Sequence, residues 1–185
     1  MIDPTNITNF NQTDEQLEEV LLFWICVAGK TASIVSKQLD ALLNSLDDNT
    51  PFDKIKNIGE YRLPELLKSF GIGCYNLKAK SLWQLVNSNM DLRTCTVDDL
   101  EKIHGIGRKT SRCFIIHSRA DAKYAGLDTH ILKFLRAKGH DVPPSTPASK
   151  RMYLEIEKLF LTYVKKSKKS VAEYDLDIWK RYARN

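Results

Sequence analysis

Leu100-Glu-Lys-Ile-His-Gly-Ile-Gly-Arg-Lys-Thr110 runs a short amphipathic segment into a Gly-x-Gly turn, and a helix starts after it with a lysine in its first turn. Downstream, in Leu127-Asp-Thr-His-Ile131, an aspartate opens another helix. Lys109 is an amine that can attack an electrophilic carbon and form an imine. The helix N-terminus and its neighbours Arg108 and Arg112 disfavour a cation there and so favour the neutral, attacking form. Asp128 is a carboxylate that can stabilise positive charge developing on a sugar ring, as carboxylates do in glycoside hydrolysis. Together they supply what is needed to cut a base from its sugar. Each also has a plainer reading. Lys109 can be one more phosphate-binding lysine, and Asp128 is an ideal N-cap.

The turn itself suits a polyanion. Gly105 and Gly107 can take backbone angles closed to other residues and let the main chain approach a ligand. The amides at the start of the next helix are unpaired and carry partial positive charge, so a phosphate is their natural partner. His104, Gly105, Ile106, Gly107, Arg108, Thr110 and Arg112 are therefore candidate DNA-contact residues, with an ordinary helix–turn–helix corner as the alternative. The net charge of +5 is compatible with such a partner.

The elements that must position these groups are helical. Thr13-Asp-Glu-Gln16 has the form of a capping box, and Leu17, Val20, Leu21, Trp24, Ile25 and Ala28 follow at helical spacing. The end of this helix is apolar all round and should be central. A second helix is expected over 32–46 with Ile34, Val35, Leu39, Leu42 and Leu43 facing inward, ended by Asp47-Asp-Asn-Thr-Pro51. Short helices follow near 52–58 and 63–70, then one over 76–87, one from Thr96 to Ile103, one from the Gly-x-Gly turn to Arg119 and one from Asp128 to Gly139. The last two cover 148–165 and 171–183. Residues 1–12 read as a loose arm. Period-two runs of β-branched residues are missing, so the fold class is all-α, with about ten helices. We expect two lobes flanking a cleft, a division drawn in part from the family resemblance described below: residues 1–30 plus 126–185, and residues 31–125 carrying a helix-hairpin-helix at about 97–119.

Other functions are excluded by composition. The longest apolar run, Val20 to Ala28, is far short of the roughly 20 residues of a membrane span. Cys26, Cys74, Cys95 and Cys113 form no Cys-x-x-Cys pair, and His104, His117, His130 and His140 do not cluster, so neither a metal nor any other cofactor is expected. The expectation is a soluble, intracellular monomer, cytoplasmic or nucleoid-associated, or nuclear in a eukaryote.

The combined motif Ile103-His-Gly-Ile-Gly-Arg-Lys-Thr110 with Leu127-Asp-Thr-His-Ile131 resembles the helix-hairpin-helix, Gly/Pro-Asp superfamily of DNA glycosylases, which includes endonuclease III. The resemblance implies that Lys109 is the nucleophile and Asp128 the second catalytic residue. Gly71-Ile-Gly-Cys-Tyr-Asn-Leu-Lys-Ala79 is similar to the family's turn that feeds a wedge side chain into the DNA stack; by position the wedge is Cys74 or Tyr75, with Lys78 as a nearby phosphate contact. Lys150-Arg-Met-Tyr-Leu-Glu-Ile-Glu157 and Glu173-Tyr-Asp-Leu-Asp-Ile-Trp179 resemble the archaeal-type 8-oxoguanine glycosylase/lyases, whose final helix closes on the damaged base. That places Asp175, Trp179 and Lys180 in a base pocket, although Leu176 and Trp179 can equally be core. The chain departs from the pattern in three places. His104 stands where many members have proline, the iron–sulfur cysteines of endonuclease III are missing, and Val27-Ala-Gly-Lys-Thr31 replaces a stretch carrying a gap-filling glutamine, which leaves Lys30 as the candidate filler. The implied function is a bifunctional glycosylase/lyase acting on double-stranded DNA with a damaged base, 8-oxoguanine first and an oxidised pyrimidine second. A monofunctional glycosylase and a non-catalytic DNA-binding module are the competing classes.

Overall fold

The computed structural model describes residues 1–47 and 49–182; Asp48, and residues 183–185 with the expected end of the last helix at Ala183, lie outside the described residues. Among the described residues there are ten α-helices and no strand. Local chemistry accounts for most boundaries. Helix α1, Asp14–Val27, starts at a capping box in which Thr13 and Gln16 satisfy each other's backbone amides. Helix α2 covers Ala32–Asn44, α3 covers Pro51–Ile58 with proline in its first turn, α4 covers Leu63–Ser69, and α5 covers Tyr75–Val86. Helix α6, Val97–Leu100, has a second capping box between Thr96 and Asp99. Helix α7 is Arg108–Ser118, α8 is Thr129–Ala137, α9 is Lys150–Ser167 and α10 is Val171–Tyr182.

The apolar helix α1 is central, packed on α2, α3, α5 and α7. Val35, Leu39, Leu42 and Leu43 of α2 are buried against it, whereas Ile34, expected inward, is 55% exposed. One residue is 100° of helical turn, so a stripe centred on Val35 and Leu39 carries Ile34 off its edge. Buried side chains form two clusters. One contains residues of α1 to α7, and the other contains α8 to α10 with Ile116 from the end of α7. The sequence alone groups residues 1–30 with the C-terminal helices; by side-chain packing α1 lies with α2, α3, α5 and α7 instead. The N-terminal arm is also tied down rather than loose. Ile7 and Gln12 are buried, Ser36 Oγ donates to the Ile2 carbonyl, and the Asn9 amide donates to the His117 carbonyl at 3.1 Å. The arm is not helical, so each residue engages separately and leaves no periodic signature.

The two clusters are joined by a buried ionic network. Arg112, 5% exposed, donates from Nε to Glu157 Oε1 at 2.8 Å and from Nη1 to Glu101 Oε1 at 2.6 Å. Its guanidinium lies 4.9 Å from the centre of the Tyr153 ring. Glu157 also accepts the Ala125 amide at 2.8 Å, and Tyr153 Oη donates to the Ala125 carbonyl and accepts the Leu127 amide. Helices α7 and α9 thus grip residues 125–127, the segment that delivers Asp128.

Removing one member of a buried pair strands the other's charge. Arg112→Met should cost roughly 3–5 kcal/mol in urea unfolding, and adding Glu157→Leu should recover part of it. A loss below about 1 kcal/mol would show that the pair is exposed in solution.

Candidate active site

The hairpin places Lys109. Ile103 and Ile106 are buried and anchor the turn, and Gly105 adopts φ +81°, where a Cβ would collide with Ser81 Oγ. Gly107 is different. Its φ is −95° and a Cβ there would meet nothing, so the protein's own backbone does not demand glycine at this position. Gly107 is the N-cap of α7, and among the described residues the amides of Gly107, Arg108, Lys109 and Thr110 have no acceptor. These outward-facing donors form an anion-binding edge.

Asp128 is placed by a cap. Its Oδ1 accepts the His130 amide at 2.9 Å and the Ile131 amide at 2.8 Å, which orients the carboxylate at the start of α8. The preceding carbonyl, of Leu127, accepts from Thr146 Oγ1 at 2.7 Å. Gly126 lies so close to Cys113 that any side chain would clash with its sulfur. Burial pushes the Asp128 carboxyl above its ordinary value, and the neighbouring Asp175 carboxylate adds to the effect. The Ile131 amide bond and the charges of Lys109 and His130 act the other way and do not overcome it. An N-cap by itself favours the ionised carboxylate; desolvation outweighs it here.

Lys109 and Asp128 line one cavity of about 1180 Å³. The side chains of Lys109, Cys113 and His117, spaced four apart on α7, form one wall. Asp175, Trp179 and Lys180 of α10 and Lys30 after α1 line the same space, so all four expected base-pocket residues meet the expected catalytic pair. Trp24, Cys113, His117 and the N-terminal arm residues Pro4, Thr5 and Ile7 also line it, and sequence reading had not assigned them there. The spacing of His117 from Lys109 was the one available signal.

Several expected DNA contacts are placed otherwise. Arg112 is consumed by Glu101 and Glu157 and does not reach solvent. Lys78 is buried, and its Nζ donates to the Cys26 carbonyl near the end of α1; burial lowers its pKa. Neither is free to hold a phosphate. Thr110 and Ile106 are buried, so only main chain is on offer there. Half-buried Arg108 donates to the Ala148 carbonyl and lies over Tyr153, while His104 and Gly105 are exposed. Cys74 is exposed in the left-handed region, φ +58°, ahead of α5, with Tyr75 half-buried beneath Lys68. Lys30 reaches across to Gly73 in the same turn.

A helical fold that sets a hairpin of unpaired amides beside a cavity lined by a half-buried lysine and aspartate is the architecture of a helix-hairpin-helix DNA glycosylase. A family model described as 8-oxoguanine DNA glycosylase matches residues 4–169, and the chain belongs to this family. It is thus an enzyme, a DNA glycosylase for 8-oxoguanine. Solved structures share the fold. The 8-oxoguanine glycosylase/lyase of Methanocaldococcus jannaschii, crystallised with a 15mer DNA containing 8-oxoguanine, superposes with TM-score 0.74 at 23% identity, covering 95% of this chain and 84% of that one. The 8-oxoguanine DNA glycosylase of Thermotoga maritima gives 0.73 at 20% identity, covering 91% and 80%.

Two stability measurements test this placement. Gly105→Ala should lose roughly 1–2 kcal/mol from its left-handed backbone alone, whereas Gly107→Ala should lose less, about 0.5 kcal/mol, because alanine is only a poorer N-cap there; equal losses would contradict the contrast. For Asp128, the folded chain holds the carboxyl proton more tightly than the unfolded chain. Ionising it therefore costs stability as pH rises from the ordinary value of 3.8 through the raised one. Asp128→Asn keeps a capping oxygen and removes that cost. Its Tm relative to wild type should climb from acid to neutral pH, at roughly 2–4 °C per kcal/mol; a flat difference would contradict the assignment.

Proposed function

We propose that the protein is a bifunctional 8-oxoguanine glycosylase and abasic-site lyase acting through Lys109. The observation that carries this is that Lys109 is shared: it lines the deep cavity with Asp128 and also the shallow depression at the α7 N-terminus bounded by Gly107, Arg108, Thr110 and Thr146. A strand gripped by the hairpin amides would thus present its sugar to the amine. The DNA-bound state of the M. jannaschii protein supports the same substrate here.

In this reading the damaged nucleotide is flipped into the cavity, with the unstacking cost offset by contacts to the extruded base. Trp179 offers a stacking face, and Asp175, Lys180 and Lys30 offer polar contacts. The Lys109 amine bonds to C1′ as the glycosidic bond breaks, and the base leaves with the bonding pair and takes up a proton. The amine loses its proton, the sugar ring opens and an imine remains. Removal of a C2′ proton then expels the 3′ phosphate, nicking the strand, and water releases the lysine. Asp128, as carboxylate, stabilises the positive charge that builds on the sugar. Cys74 or Tyr75 enters the stack from the turn before α5. The protein works as a monomer, with the two lobes flanking the duplex. Among the described residues no helix is long and apolar enough to cross a membrane.

Borohydride trapping on duplexes carrying 8-oxoguanine, thymine glycol, uracil or an abasic site tests the reading. We expect covalent adducts on the 8-oxoguanine and abasic duplexes, reduced about 10³-fold or more in Lys109→Gln. Base release without an adduct would make the enzyme monofunctional, and binding without release would make it a DNA-binding module. Because Asp128 must be ionised and its carboxyl is raised, the acid limb of base release should lie above 3.8 and vanish in Asp128→Asn.

A further inference from the structure

A chain of polar atoms runs from the N-terminal arm to the cavity. Thr8 Oγ1 lies 2.8 Å from His117 Nδ1. His117 Nε2 lies 3.4 Å from Asp175 Oδ2 and makes no hydrogen bond among the described residues, although the residue is 0% exposed. The imidazole is held flat against Trp24, with ring centroids 5.4 Å apart and planes 12° from parallel. The Asn9 amide binds the carbonyl of the same histidine.

The chemistry of the partners sets the direction of this chain. A carboxylate only accepts hydrogen bonds, so the tautomer that suits Asp175 is the one with its proton on Nε2. Nδ1 is then an acceptor, and the Thr8 hydroxyl is the donor that fills it. Without Thr8 the tautomer with its proton on Nδ1 is no longer disfavoured, and in that form two lone pairs face each other at Asp175. Stacking on Trp24 prevents the ring from rotating away.

We propose that His117 is a positioning residue, through which the arm residue Thr8 fixes the orientation of Asp175 on the base-binding side of the cavity. The inference rests on the reading that the extruded base meets Asp175. It gives the arm a part in base excision, while Lys109 and Asp128 sit on other supports: the α7 N-terminus and the α8 cap. Geometry imposed from outside the reacting centre is worth up to about 10²-fold in rate when lost.

Two reactions separate the roles. Base release from an 8-oxoguanine duplex under single turnover needs the base-binding side, whereas nicking of a pre-formed abasic duplex does not. In Thr8→Val and His117→Leu the ratio of base release to abasic nicking should fall about 10-fold or more. His117→Gln, which restores an amide donor near the Nε2 position, should recover most of that loss. Equal falls in both reactions would show a merely structural role and overturn the proposal, as would no change in either. If His117→Leu melts below the assay temperature, Thr8→Val alone decides. Wild-type protein that releases no 8-oxoguanine would instead defeat the glycosylase reading itself, and this inference with it.

Discussion

The Arg112 guanidinium, buried between Glu101 and Glu157, is the contact on which the geometry depends. It joins a helix of one core cluster to a helix of the other. It also reaches, through Glu157 and Tyr153, the backbone of the irregular segment before Asp128. A buried loop must pair its amides and carbonyls or lose more than a kilocalorie per mole for each. Here Glu157 and the Tyr153 hydroxyl, whose ionisation burial strongly disfavours, complete that pairing. Desolvating the ions is costly in itself, and what the arrangement secures is a fixed relation between Lys109 on one side of the network and Asp128 on the other.

Helix α7 serves the site with three of its surfaces. Its first turn offers unpaired amides and the amine. The face carrying Lys109, Cys113 and His117 walls the cavity. The face carrying Arg112 locks the helix to α9. Exposed base-reading loops would need separate supports for each of these tasks, whereas one rigid rod sets them all in register. The cavity carries opposed charges, with Lys109, Lys30 and Lys180 against Asp128 and Asp175, in surroundings dry enough that Asp128 resists ionisation. Low solvation strengthens every electrostatic interaction inside such a cavity.

Much of this was legible in the chain. The capping boxes at Thr13 and Thr96, the proline start of α3 and the Asp128 cap are local devices, satisfied within a few residues, and so they show in sequence. The meeting of Lys109, Asp128, Asp175 and Trp179 followed from motif resemblance rather than from spacing. The errors share a cause. Arg112 and Lys78 look like phosphate contacts because cations near a hairpin usually face solvent, yet both are turned inward by acceptors far along the chain, Glu157 for one and the Cys26 carbonyl for the other. The arm looked loose because non-helical residues bonded one at a time have no period.

By itself, then, the sequence determined the helical class and most helix starts and singled out Lys109 and Asp128 as the candidate amine and carboxylate, because caps, apolar stripes at helical spacing and Gly-x-Gly turns depend on neighbours within about one or two turns. Tertiary structure alone decided which cations are turned inward to hold the fold together, where α1 packs, and that Thr8 and His117 meet. Those outcomes turn on burial and on partners dozens of residues away, and neither is written in local order. The same is true of the Asp128 carboxyl: its N-cap is plain from sequence, but the direction of its pKa was set by desolvation and by Asp175, which only the folded chain brings to it.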